Sequence, residues 1–143
     1  MRVANLLSTK GRDVTTIDES GTVAEAVALL KEHRIGALVV TGEGSPLAGI
    51  LSERDVVRAL AERGAAILDE RVADLMTAEV TTCTEATTVT DLMGLMTAHR
   101  IRHVPVVADG VLIGMVSIGD VVKARFEELE GEKRDLLDYV SAR

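Results

Sequence analysis

Apolar residues follow two periods along this chain, and the same order of periods occurs twice. Val14–Ile17 is a short β-rich run, and Val80–Cys83 is its counterpart. After the first run, Val23, Ala26, Val27 and Leu30 fall at i, i+3, i+4 and i+7, one face of a helix. After the second, Val89, Leu92, Met93 and Met96 do the same. Thr22-Val23-Ala24-Glu25 predicts the helix start: the Thr hydroxyl can accept a backbone N–H three residues on, and the Glu can reach back. Thr88-Val89-Thr90-Asp91 reads as the same device. Val104–Val107 and Val111–Val116 flank Ala108-Asp109-Gly110, a tight-hairpin signal because Asp and Gly tolerate positive φ. The corresponding Gly42-Glu43-Gly44-Ser45-Pro46 predicts a looser connection. A second helix is expected to begin near Ser52 and near Ser117. The residues after Gly64 bridge the copies, and Asp120 to Tyr139 reads as a charged helix with Phe126, Leu129, Leu136 and Leu137 as its apolar points.

The duplication is explicit at the residue level. Residues 14–44 align with 80–110, and 46–59 align with 111–124 after Ser45 is skipped. Of 45 aligned pairs 19 are identical, where roughly three would arise by chance. A lead-in also repeats: Val3-Ala4-Asn5-Leu6-Leu7 resembles Val72-Ala73-Asp74-Leu75-Met76. Each copy therefore reads β-α-β-β-α, an α+β class, with a first repeat over 1–69 and a second over 70–143 that carries the C-terminal helix. One copy alone is marginal for a stable core, so the two are expected to cover each other about a pseudo-twofold axis, sheets face to face. A cleft at such an interface is a common ligand site.

Composition narrows the function. Hydrophobic residues make up 47% of the 143, yet the aromatics are one Phe and one Tyr. The core must be aliphatic, and stacking platforms for single-stranded nucleic acid are essentially missing. The net charge of −7 opposes nucleic acid and anionic membranes. An anionic ligand would need local donors such as Arg residues or helix N-termini. A single Cys83 rules out an internal disulfide and fits a reducing compartment. With no apolar run of membrane-spanning length and no signal-like N-terminus, the expected location is cytoplasmic.

Gly49-Ile50-Leu51-Ser52-Glu53-Arg54-Asp55 and Gly114-Met115-Val116-Ser117-Ile118-Gly119-Asp120 share the pattern Gly-x-x-Ser-x-x-Asp between strand and helix. Ile101-Arg102-His103-Val104-Pro105-Val106-Val107 lies upstream of the second, and Leu75-Met76-Thr77 precedes the second copy. In this order and duplication the chain resembles a tandem pair of CBS domains (cystathionine-β-synthase domains), a stand-alone Bateman module. The resemblance covers nearly the whole chain. It implies two related nucleotide clefts, a homodimer of pairs, and ligands drawn from AMP, ADP, ATP, NAD-type dinucleotides or S-adenosylmethionine. It implies a regulatory role toward a partner protein that the sequence does not name, and no catalysis.

Ser52…Asp55 and Ser117…Asp120 are good helix caps in their own right. The resemblance adds a second reading, in which each Asp accepts from a ribose diol while the Ser and the helix amides face phosphate. It also implies one cleft from Ser8, Val14, Ile35 and Gly36 with Ser117, Gly119 and Asp120. The other would use Thr77, Val80, Ile101, Arg102 and His103 with Ser52, Arg54 and Asp55. Val14 and Val80 would meet adenine, and Arg102 would meet phosphate. Arg54 opposite Gly119, and Ser8 opposite Thr77, make the clefts unequal. Gly119 would leave room for a close backbone approach. Arg34 and Arg100 have a structural reason to sit at helix C-termini. His103 is either a pH-sensitive contact or an ordinary sheet-edge residue. Cys83, His33 and His99 read as structural, with no zinc spacing.

Enzyme signatures are missing: no P-loop, no nucleophile elbow, no dinucleotide Gly-x-Gly-x-x-Gly, and no base placed by sequence for Ser52 or Ser117. The remaining alternative to a nucleotide sensor is a ligand-free dimerisation or scaffold protein that acts through its C-terminal helix.

Overall fold

The computed structural model describes residues 1–142. The chain packs as two compact units: Asp13–Thr81 with Asp109–Ile113, and Met1–Arg12 with Thr82–Ala108 and Gly114 onward.

The unit built on Asp13–Thr81 runs β1 (Thr16–Asp18), α2 (Val23–His33), β2 (Ala37–Gly42), β3 (Ser45–Ser52) and α3 (Glu53–Arg63), followed by a 3-10 turn over Gly64–Asp69 and the single helical turn α4 (Val72–Leu75). The number α1 belongs to Val3–Lys10, which packs in the other unit. β1 is parallel to β2, with Ile17 opposite Val40, and β3 is antiparallel to β2. The core is aliphatic, as the composition requires: Ile17, Ala26, Leu30, Leu38, Val40, Leu51 and Val72 form one cluster. The predicted cap of α2 forms in both directions, Glu25 N–H donating to Thr22 Oγ1 at 3.2 Å and Thr22 N–H to Glu25 Oε2 at 3.4 Å.

The other unit holds α1, α5 (Val89–His99), β4 (His103–Ala108), most of β5 (Val111–Ser117) and α6 (Ile118–Ser141). Its interior is again aliphatic: Val3, Leu7, Val89, Leu92, Val104, Val106, Val116 and Val121 are all buried. The cap of α5 is simpler than its counterpart, with Asp91 N–H donating to Thr88 Oγ1 at 3.0 Å. Beyond Ala124, α6 buries no further residue and exposes Phe126, Leu129, Leu136 and Leu137.

Three local expectations change. The first strand is Thr16–Asp18 rather than Val14–Ile17. Its register is set by β2, and Val39 N–H reaches back to the Thr15 carbonyl at 3.2 Å. The matching Val80–Cys83 run narrows to one parallel bridge, Cys83 with Val106. The reason is Pro105, which stands where Val39 stands and has no N–H to carry the ladder further upstream. The first hairpin is tighter than expected, with Glu43-Gly44 as its turn and Gly42 paired to Ser45. Gly44 adopts φ 72°, and the register shifts between Val40 and Gly42. The second hairpin turns at Asp109 and Gly110, both at positive φ (50° and 76°).

The lead-ins dock in equivalent ways, each on the helix start of the other repeat. Val72 N–H donates to the Gly21 carbonyl and Ala73 N–H to that of Glu19. Val3 N–H donates to the Thr87 carbonyl and Ala4 N–H to that of Glu85. Thus the turn at residues 72–75 completes the helix start of the first repeat, and α1 completes that of the second.

Candidate functional site

Both Gly-x-x-Ser-x-x-Asp motifs end a β-strand and start a helix, and their geometry is almost superimposable. Ser52 is the N-cap of α3 and Ser117 the N-cap of α6. Asp55 Oδ2 accepts from Ser52 N–H at 2.9 Å and from the Ser52 hydroxyl at 3.0 Å. Asp120 Oδ2 accepts from Ser117 N–H at 2.8 Å and from the Ser117 hydroxyl at 3.0 Å. Each Ser Oγ in turn accepts the Asp N–H at 3.3 Å. The hydroxyls are therefore used within the cap, donating to a carboxylate and accepting from an amide. What each junction offers is a half-buried carboxylate held rigidly at the positive end of a helix, an acceptor suited to a pair of hydroxyl donors.

The first amide of each helix is satisfied inside its unit. Glu53 N–H donates to the Gly36 carbonyl at 2.9 Å and Ile118 N–H to the Arg102 carbonyl at 2.8 Å. With Asp55 and Asp120 N–H used by the serines, two first-turn amides of each helix are already engaged. The structure thus joins Gly36 to the Ser52 junction and Arg102 to the Ser117 junction. Val14, Ile35, Thr77 and Val80 lie in the unit of Ser52, Arg54 and Asp55, whereas Ser8, Ile101 and His103 lie in the unit of Ser117, Gly119 and Asp120.

Individual positions differ in character. Ser8 donates its hydroxyl to the Ala4 carbonyl within α1. Thr77 pairs its backbone with Ile50. Val14 and Val80 are half-buried and lie outside the strands, and Ile35 packs against the core of its unit. Arg102 is exposed, and His103 opens β4 half-buried. Arg54 is half-buried with a polar or charged contact of its own. A Cβ on Gly119 would meet only Ser117 Oγ, at 3.6 Å, so local packing does not demand glycine there. Arg34 and Arg100 cap α2 and α5 in the left-handed conformation, both with φ 54°.

One residue escaped the sequence reading. Lys10, the last residue of α1, donates through Nζ to the Met115 carbonyl at 2.6 Å and to Asp120 Oδ2 at 2.7 Å. Burial alone would raise the Asp120 carboxyl, but the hydrogen bonds from Lys10 and Ser117 and the Lys10 charge outweigh it and hold the carboxyl below its ordinary value. Extending the lead-in alignment past Ser8 and Thr77 sets Lys10 opposite Glu79, a reversal of charge that marks the position without naming its partner. Burial pushes the Cys83 thiol up to about 11. Among the described residues no group of three or more His, Cys, Asp or Glu is gathered to hold a metal, and no helix is long and apolar enough to cross a membrane.

The CBS domain family model matches twice, over residues 4–62 and 72–127. The mitochondrial CBS domain-containing protein CBSX3 of Arabidopsis thaliana is 40% identical, over 96% of this chain and 71% of its own length. A crystal structure of a CBS-domain-containing protein from Agrobacterium tumefaciens superposes with TM-score 0.84 at 48% identity, covering 87% of this chain and 92% of that one. A CBS domain protein of Pyrobaculum aerophilum, solved in complex with AMP, superposes with TM-score 0.74 at 32% identity, covering 84% and 89%. With a duplicated strand–helix junction and a duplicated family match over most of its length, the chain belongs to the CBS-domain family as a tandem pair of CBS domains.

Proposed function

We propose that this protein is a non-catalytic regulatory module that binds an adenosine-containing nucleotide, of the AMP, ADP, ATP or NAD type, with Asp55 and Asp120 each accepting from a ribose diol. The observation that carries this reading is the pair of near-identical Ser–Asp caps, each presenting one oriented carboxylate at a helix mouth. The AMP complex of the Pyrobaculum relative supports adenosine as the ligand class. In this reading Ile35-Gly36 and Ile101-Arg102 supply the segments beside the sugar, Val14 and Val80 contact the base, and Arg102 meets phosphate. The cytoplasm is our reading of its location.

Titration calorimetry with AMP, ADP, ATP, NAD and S-adenosylmethionine tests the proposal. We expect binding of at least one nucleotide, weakened by Asp55→Ala at one site and by Asp120→Ala at the other. Affinity unchanged by both substitutions would sink the assignment.

The output surface in this reading is α6. Val122, Phe126, Leu129, Leu136 and Val140 repeat at helical spacing and are exposed, Phe126 by 64%. Such a stripe suits a homodimer or a regulated partner. A homodimer that Phe126→Glu converts to monomer, measured by light scattering, is the expected result. A protein that dimerises through this stripe and binds no nucleotide would instead be a scaffold.

A further inference from the structure

The two caps are alike, but their surroundings are not. In one unit the Ile50 carbonyl accepts the backbone N–H of Thr77 at 2.8 Å, so the lead-in continues as an extended segment alongside β3. Met115 is the residue that matches Ile50. Its carbonyl accepts instead from the ammonium of Lys10, because α1 runs on as a helix through Ser8 to Lys10. The same ammonium reaches the Asp120 carboxylate, on the very oxygen that already accepts twice from Ser117. The pair is partly exposed, the side chains of Lys10 and Asp120 by 32% and 25%. At the Asp55 junction the aligned lead-in residue is Glu79, which is exposed and cannot play this part.

We infer that Lys10 is an internal counter-ion that occupies Asp120, so that a sugar can use this carboxylate only by displacing the ammonium. The inference rests on the proposed role of Asp120 as a ribose acceptor. Its consequence is specificity. A neutral nucleoside that takes Asp120 leaves Lys10 without its anionic partner. A ligand with a phosphate brings an anion for the released ammonium, whose flexible four-carbon stem can swing to it. The Asp120 site therefore discriminates against uncharged adenosine.

The test compares adenosine with AMP by calorimetry on Asp55→Ala and on Asp55→Ala/Lys10→Met, which isolate the Asp120 site. We expect Lys10→Met to tighten adenosine roughly fivefold, the scale of a partly exposed ion pair, and to narrow the preference for AMP. Adenosine affinity unmoved by Lys10→Met but lost in Asp120→Ala would overturn the counter-ion and leave the nucleotide reading standing. Absence of any binding, in the unaltered protein as well, would overturn the nucleotide reading and this inference with it. A ligand-free measurement needs no Asp55 variant: carboxyl ¹³C titration should show the Asp120 pKa rising in Lys10→Met and returning in Lys10→Arg. No rise would show that the two groups are not paired.

Discussion

Thr77 and Ile50 pair through their backbones in both directions, Thr77 N–H to the Ile50 carbonyl at 2.8 Å and Ile50 N–H to the Thr77 carbonyl at 3.0 Å. The pairing presses the lead-in onto Gly49. A Cβ there would stand 2.7 Å from the Thr77 carbonyl oxygen and 2.7 Å from Met76 Sδ. At Gly114 a Cβ would meet a methyl of Leu7 at 2.7 Å, and the three nearest atoms all belong to the Leu7 side chain. A side chain can turn, whereas the Thr77 carbonyl cannot retreat without breaking its bond to Ile50. Gly49→Ala should therefore cost about 2–3 kcal/mol and Gly114→Ala about 1 kcal/mol, read from urea unfolding. Equal losses would mean that the clash at Gly49 is not with backbone.

Acid should act on Asp120. Its native carboxyl is held below the ordinary 3.8: burial works upward, but Lys10 and Ser117 prevail. A group lowered in the folded state contributes stability above its unfolded pKa, and the contribution is lost as pH falls through the folded value. Asp120→Asn mimics the protonated side chain. It should destabilise by about 1 kcal/mol at pH 6, and the difference from the unaltered protein should shrink as pH falls below 3.8. A difference that stays constant between pH 6 and pH 3 would show that charge is not what Asp120 contributes.

Local chemistry was legible in the sequence, and long-range docking was not. Thr22, Ser52, Thr88 and Ser117 announced their helix starts because a cap is a contact within three residues. Asp109-Gly110 announced its turn because positive φ is a property of those residues. The stop at Cys83 could have been read from Pro105, whose missing N–H is visible in the sequence. The exchange of lead-ins could not, because Val3 N–H to Thr87 and Val72 N–H to Gly21 are backbone bonds that any side chain permits. The occupation of Asp120 by Lys10 spans 110 residues and depends on α1 continuing past Leu7.

Cys83 should be chemically silent in the native protein. It is 5% exposed, and burial pushes its thiol from 9.0 up to about 11. At pH 8 the reactive thiolate is then on the order of one molecule in a thousand. A thiol-specific disulfide reagent should find no reactive thiol until urea unfolds the chain, and then one. The linkage runs opposite to that of Asp120. The unfolded thiol ionises first, so Cys83's contribution is intact below pH 9 and declines between pH 9 and 11. Rapid labelling of the folded protein at pH 8 would contradict this.

Arg34 offers the separation of backbone strain from side-chain function. It ends α2 at φ 54° and ψ 47°, its N–H bonded to the carbonyls of Leu30 and Lys31, a site where glycine is the favoured residue. A left-handed non-glycine residue costs roughly 1–2 kcal/mol, while glycine gives back about 0.5–1 kcal/mol through the freedom of the unfolded chain. Arg34→Gly should thus gain about 0.5 kcal/mol in urea unfolding. Arg34→Ala keeps the strain and should gain nothing. The contrast matters because the same φ recurs at Arg100. If Arg34→Gly stabilises the fold but weakens nucleotide binding, the guanidinium is retained for the ligand. If Arg34→Gly and Arg34→Ala have the same stability, the left-handed turn carries no strain, and the repeated arginines need another explanation.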